Sequence, residues 1–491
     1  MRTSLRLVGA AFVGLLLSGP AWTGEIAEPP VLVAPQPDAA KTSLFDQVLE
    51  LNRVQEPDLD AVAAHEALQK LIVRLRPQLA AAKSPEEKIA VLNTVLLADR
   101  KVEYLSNLYW RDATLAAGLL RGKGNCLSLS TLYVVIGDEL KLPICMVVMP
   151  GHAFARWDDG KTQINIETTA RGVSISDEEY RTRTEAGPED SALLGWGKSL
   201  TRDEFLAELT QTAAMHRRGE NKLTEAMQLL EQAEKLAPGR SDRTLMRLQL
   251  MADLTGKRSE ARQQVVNLVR GRGTLPPTVK TGALTFLAHD AAGSGDHQRE
   301  RQFLMMAFAE APKSSQSGVL QELAFCLRAL KDYRGAVRTM ELAAALMKPG
   351  DPNNATVLYN LAILQKNDQR LDDALVSIRA ALKINPESWN LQVIEAGYMV
   401  LNGEKEAGQK KFEAVERPHG DVDFFEVMQT WFFAVSHQRE KFYTQFEKAL
   451  STSHSTHILE WIDQDVDLDV YRAEPEFKAL VEKYAPKLRG H

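Results

Sequence analysis

From about residue 205 onward the chain repeats one helical pattern, and that repetition constrains its fold more than any other feature. In the clearest unit, residues 355–388, Leu358, Leu361, Ala362, Ala374, Ile378, Ala381 and Pro386 recur at the spacing of two antiparallel helices. Small Ala362, Ala374 and Ala381 let the helices approach closely, while the larger residues fill the gaps toward neighbouring units. Related units align at Ala214, Ala226, Ala233 and Pro238, at Leu287, Ala288, Ala307 and Pro312, and at Leu323, Ala324, Ala336, Ala343 and Pro349. Degenerate units are expected over 241–274 and 389–422. One such hairpin cannot bury its apolar face alone, so the pattern predicts an all-α solenoid over residues 205–422. The aromatic stretch 423–491, with Phe424, Trp431, Phe432, Phe442 and Phe446, is expected to be a helical cap that seals the open end. A ligand groove is the other use those rings allow.

The first 200 residues have another texture. From Ser43 to about residue 120 the pattern is helical, with Leu68, Leu71, Ile72 and Leu75 at helical spacing. Ser84-Pro85-Glu86-Glu87 supplies an N-cap, a proline at the first helical position and the reciprocal glutamate of a capping box. Between Gly122 and Gly172 the reading is α+β. A helix over 126–140 stops before Pro143, and a β-branched, sulfur-rich run, Ile144 to Met149, follows as a buried strand. Two further strands, His152 to Trp157 and Thr162 to Glu167, are joined by Asp158-Asp159-Gly160, a hairpin signal. Ser176 and Thr201 cap the next helices. The prediction is an α+β domain over 43–200, with a helix packed on antiparallel strands, followed by the helical array.

The N-terminus carries Arg2 and Arg6 before an apolar run from Leu7 to Leu17, then Ser18, Gly19, Pro20 and Ala21. This is the layout of a secretory signal peptide over residues 1–21, and Thr23 or Gly24 are alternative ends. A retained membrane anchor is the competing reading, although the apolar run is short for a span of about 20 residues. Pro29, Pro30, Pro35 and Pro37 make residues 22–42 a spacer. The protein is therefore expected to be exported, to the periplasm or beyond it. A net charge of −6 with no long basic block argues against nucleic acid as a partner. Export permits disulfides, but Cys126, Cys145 and Cys326 are too few for a disulfide scaffold, and one thiol must stay unpaired within the monomer.

Cys126 stands out among them. Arg121-Gly122-Lys123-Gly124-Asn125 is a glycine-punctuated loop that delivers it to the first turn of an apolar helix, where unpaired amides and partial positive charge favour a thiolate. Pro150-Gly151-His152 opens the second strand and can set an imidazole against that helix end as general base and acid. Glu167 lies across the hairpin, positioned to accept the second imidazole N–H and fix the tautomer. Asn165 shares its strand face and is the alternative orienting residue. For an oxyanion, the backbone N–H of Cys126 is one candidate donor, and the side-chain amides of Asn125 and Asn107 are others. Cys145 and Cys326 read as core residues, with a Cys126–Cys145 disulfide as an alternative that would block the nucleophile.

Gly124-Asn125-Cys126-Leu127-Ser128-Leu129-Ser130, Pro150-Gly151-His152-Ala153 and Glu167-Thr168-Thr169 resemble, in that order, the bacterial transglutaminase-like superfamily, related to papain-like cysteine hydrolases. The resemblance implies Cys126 as nucleophile, His152 as base and Glu167 as orienting acid. The family usually has aspartate in that third position, so Glu167 is one methylene longer. The helical units in turn resemble tetratricopeptide repeats, which implies a protein or peptide partner.

Together these features predict hydrolysis of a peptide or amide bond through a Cys126 thioester, with the array holding a partner. The alternative is a noncatalytic interaction scaffold that retains a degenerate module. No His-Glu-x-x-His motif, paired-cysteine motif or phosphate-binding glycine loop occurs, so neither a metal nor a cofactor is expected.

Overall fold

Helix caps set the borders of the first elements. In the computed structural model, which describes residues 43–489 apart from 107–109, 255, 272, 348–349, 352, 419–421 and 454–456, Ser43 accepts the Asp46 N–H and starts helix α1 (Leu44–Gln55). The signal-peptide and spacer readings lie outside these residues, as does Asn107. Helix α2 (Ala61–Ala81) follows, and Ser84 and Glu87 form the expected capping box at the start of α3 (Pro85–Asn93). After the two-residue strand β1 (Glu103–Tyr104) come α4 (Leu115–Leu120), the equally short β2 (Lys123–Gly124), parallel to β1, and α5 (Cys126–Leu140).

The sheet has three strands, β3 (Ile144–Met149), β4 (His152–Asp158) and β5 (Gln163–Ile166), antiparallel in chain order. Met149 pairs with His152 and Ala155 with Ile166. Helix α5 is buried on every side from Ser128 to Gly137, as a helix apolar all round must be. Leu132, Val135 and Ile136 join Met146, Ala155 and Ile166 of the sheet and Leu68 and Leu75 of α2 in one core. Each fully buried Leu, Val, Ile or Met side chain among them contributes about 1.5–3 kcal/mol. Two short helices, α6 (Asp177–Thr184), capped by Ser176, and α7 (Pro188–Leu194), complete this part.

The rest is helical hairpins. They pair α8 (Arg202–Gly219) with α9 (Leu223–Leu236), α10 (Ser241–Asp253) with α11 (Arg258–Arg270), and α12 (Pro277–Gly293) with α13 (His297–Glu310). Next come α14 (Lys313–Ala329) with α15 (Tyr333–Ala345), α16 (Asn354–Asn367) with α17 (Leu371–Ile384), α18 (Trp389–Leu401) with α19 (Lys405–Glu413), and α20 (Val422–Val435) with α21 (Arg439–Thr452). Helices α22 (His457–Gln464), α23 (Asp469–Arg472) and α24 (Pro475–Arg489) end the description. Ala362, Ala374 and Ala381 are wholly buried, as close helix approach requires.

A second periodic signature supports the repeat. A residue of positive φ ends the turn between the two helices of each of these hairpins, at Asn221, Gly256, Gly295, Lys331, Gln369, Gly403 and His437. The last of these extends the repeat geometry one hairpin past residue 422. By packing, the described chain forms two compact units, one of 43–287 with 310–314 and one of 288–309 with 315–489. The first unit runs past residue 205 because Phe205, Leu206 and Leu209 of α8 belong to the same core as α1, α2 and α5.

Candidate active site

Cys126 is the first residue of α5, and its position follows from its two predecessors. Asn125 is the N-cap: its carboxamide oxygen accepts the Leu127 N–H at 3.0 Å and the Ser128 N–H at 3.2 Å. Gly124 pairs with Tyr104 across the two short strands, and a Cβ there would collide with the Ser128 hydroxyl. Among the described residues nothing accepts the backbone N–H of Cys126, which stands at the positive end of the helix.

One turn into α5, buried Ser130 ties the helix to two strand-side residues. Its hydroxyl reaches the Ala153 carbonyl at 3.3 Å, next to His152, and the Thr168 hydroxyl at 3.1 Å, next to Glu167. The helix that carries Cys126 is thereby clamped to the residues flanking His152 and Glu167.

His152 opens β4 after the turn at Gly151, whose φ is +66°. Its Nε2 lies 2.7 Å from Glu167 Oε2, which leaves Nδ1 as the ring nitrogen available to Cys126, whose side chain is near enough to favour the imidazolium. Glu167 is only 3% exposed and takes four hydrogen bonds. Oε2 accepts from His152 and from the Tyr180 hydroxyl at 2.9 Å, and Oε1 accepts from the Thr169 N–H at 2.9 Å and the Thr169 hydroxyl at 2.7 Å. Burial by itself pushes this carboxyl up, but the hydrogen bonds from His152 and Thr169 and the imidazolium charge outweigh it and bring it down to about 2. Burial likewise pushes His152 down, and its hydrogen bonds to Cys126 and Glu167, with the Glu167 charge, reverse this and raise it to about 9. The pair is therefore imidazolium and carboxylate at neutral pH.

The structure thus brings Cys126, His152 and Glu167 together, keeps Asn125 beside Cys126 as the cap of its helix, and engages Asn165 elsewhere. Asn165 does not orient His152. It stands directly opposite Arg156 on β4 and accepts from its Nε at 2.6 Å, while its amide donates to the Ile175 carbonyl at 2.8 Å and to Asp177 at 2.7 Å. Arg156 is itself 2% exposed and reaches Asp177 at 2.6 Å. Asn165 and Arg156 thereby fasten the start of α6 to the sheet. Asn125 spends its carboxamide oxygen on the helix cap, so its clear role is to present Cys126.

All three cysteines are free thiols. Cys145 donates to the Arg156 carbonyl at 3.5 Å, and burial pushes its thiol up. Cys326 is buried, donates to the His297 carbonyl at 3.3 Å, and is pushed up to about 12 by burial and then by Glu300. Among the described residues no group of three His, Cys, Asp or Glu side chains is arranged to hold a metal ion.

Three further contributors went unnoticed in the sequence. Tyr180 on α6 donates to Glu167 and stacks face to face on Phe154, with centroids 3.8 Å apart. Burial, then the Glu167 charge, raises its phenol well above the ordinary value, so it remains a donor. Thr169 holds the other carboxylate oxygen. Tyr104 is 45% exposed on β1, and partial burial followed by the charges at Cys126 and Glu167 opposes its ionisation. Only Thr169 carried a signal, as part of the Glu-Thr-Thr run.

The family model of the transglutaminase-like superfamily matches residues 63–236. Those residues form a transglutaminase-like domain. The match begins in α2 and ends with α9, so it includes the first helical hairpin, in agreement with the shared core. No curated protein matches the chain. Similar solved structures include a tetratricopeptide repeat protein from Parabacteroides merdae, 15% identical, with a TM-score of 0.38 over 52% of this chain and 97% of that one. Another is pilF of Pseudomonas aeruginosa, 12% identical, with a TM-score of 0.30 over 56% of this chain and 97% of that one. The helical repeat region itself is read from its hairpin spacing, its buried alanines and its recurring left-handed turn.

Proposed function

We propose that this chain is an exported cysteine hydrolase that cleaves a peptide or amide bond through a thioester on Cys126, while its repeat array binds a protein partner. The observation that carries this reading is the 2.7 Å bond between His152 Nε2 and Glu167, which leaves Nδ1 to the Cys126 thiol. Glutamate in the acid position is no obstacle, because Tyr180 and Thr169 hold its longer side chain from both oxygens.

In this reading Cys126 Sγ, its proton passed to His152 Nδ1, attacks the substrate carbonyl carbon. The oxyanion accepts from the Cys126 backbone N–H at the helix end. His152 returns the proton to the leaving nitrogen as the C–N bond breaks, and Glu167 stabilises the imidazolium throughout. Water, deprotonated by His152, then attacks the thioester and releases the acid with a free thiol. Water is the simplest acceptor, since no amine-binding site is identifiable. Export to the periplasm is supported by the charged, apolar and small-residue order of residues 1–21, and partner binding by the general use of helical repeats.

The test is intact mass after a brief incubation with a p-nitrophenyl acyl ester and an acid quench. The wild type is expected to carry one acyl group on Cys126, absent from Cys126→Ala and slow to form in His152→Ala. A folded wild type that acquires no adduct would replace this reading with the noncatalytic scaffold.

A further inference from the structure

The segment after α22 turns back onto the repeats. Asp465 caps a short turn, Val466–Leu468, and Asp467 lies within it, far in sequence from α16, yet Lys366 of α16 forms an ion pair with Asp467. Trp431 of α20 donates its indole N–H to the other Asp467 oxygen at 2.8 Å. The Lys366 and Asp467 side chains are 11% and 13% exposed, so the pair is largely withdrawn from water and needs such added hydrogen bonds to hold. Asp465 accepts from the Trp461 indole at 2.9 Å and from the Asp467 N–H at 3.0 Å, and its carbonyl accepts from Arg472 at 2.7 Å. Its charge bears on Arg328 of α14, Tyr359 of α16 and Tyr398 of α18.

The cations have a periodic origin. Arg328 follows the buried Ala324 by four residues, and Lys366 follows the buried Ala362 by four. They therefore hold the same place on the first helices of successive hairpins. A cap that only covered apolar surface would need neither cation nor the indole donor. Two cations in register, with phenols and an indole N–H beside them, are what an acidic chain would be read by.

We propose that this face of the repeats is a binding groove for an acidic peptide, and that the Asp465–Asp467 turn occupies it in cis until a partner's acidic segment displaces it. The proposal rests on the reading of the array as a partner-binding surface and is independent of the chemistry at Cys126. Because the internal segment is tethered, its effective concentration is on the order of millimolar, and an incoming peptide binds more weakly by the fraction of grooves already filled.

The test uses the full mature chain and a fluorescein-labelled synthetic peptide of residues 461–472, read by anisotropy. Wild type is expected to bind weakly, Asp465→Asn/Asp467→Asn at least about tenfold more tightly, and the same variant with Lys366→Ala to lose that gain. Asp467→Asn alone, measured alongside, is held to the same direction should the double variant lose helicity. A helical variant that binds the peptide no better than wild type overturns the proposal and makes the turn a structural strut. A control peptide with lysine at each aspartate separates the two readings. Binding of the control alone leaves the array a peptide-binding surface and removes only the acidic groove, whereas binding of neither counts against both.

Discussion

Replacing Glu167 by glutamine keeps the size of the side chain and removes the charge that faces His152. The carboxyl is held at about 2 against an ordinary 4.5, and the imidazolium at about 9 against 6.5. Each gap corresponds to roughly 3 kcal/mol, and since both describe largely the same ion pair they are counted once. A raised histidine contributes stability fully below pH 6.5 and loses it as pH climbs through about 9. A depressed carboxyl contributes above pH 4.5 and loses it as pH falls through about 2. The pair is therefore worth most between pH 4.5 and 6.5, and wild-type stability should decline above that window by up to about 1.4 kcal/mol per pH unit. At pH 6 Glu167→Gln should cost roughly 2–3 kcal/mol and flatten most of the alkaline decline, with the residue of it due to Cys126. Hydrogen-exchange mass spectrometry in urea, reading peptides from the Cys126–Glu167 region, confines the measurement to this domain. Equal pH slopes in both proteins, or equal stability at pH 6, would refute the ion pair.

Further consequences follow from single contacts. Tyr180→Phe removes only the hydroxyl that donates to Glu167. It should cost about 1.5–3 kcal/mol of local stability and shift the pH profile of Cys126 alkylation while circular dichroism stays unchanged. An unshifted profile would make Tyr180 merely a packing residue. Asn125→Ala deletes the cap of α5 and should lower domain stability by about 1 kcal/mol in urea melts, with a slower thiol at every pH. Asn125→Ser should recover most of both losses. In the repeats, Gly408→Ala would set a Cβ 2.6 Å from the Ala396 carbonyl oxygen. Parting α18 and α19 should cost about 1–3 kcal/mol, seen as earlier proteolysis of that hairpin, and no change would contradict the close approach.

How far the sequence foretold this structure depended on how local each signal was. Ser84 with Glu87 and Thr201 with Glu204 began helices as expected, because a capping box is written within four residues. The strand pair at Asp158-Asp159-Gly160 and the helix from Cys126 to Leu140 were equally local. Asn165 was misjudged because strand alternation gives its face but not its neighbour, and the neighbour is a buried arginine. Asn125 was ambiguous because an asparagine before a helix suits both a cap and an oxyanion donor. Tyr180 gave no signal, since α6 is polar on nearly every side and only the fold brings its hydroxyl to Glu167. The return of Asp467 to Lys366 likewise spans most of three hairpins and leaves no local trace.

The proposed chemistry requires that His152, held by Glu167, activate Cys126. Its most direct test is the rate of iodoacetamide alkylation of Cys126 across pH in wild type and His152→Ala. The predicted result is a reactive limb well below pH ~8.5, the value of a free thiol, that disappears with the histidine. Identical profiles, or a Cys126 that reacts in neither protein, would contradict it.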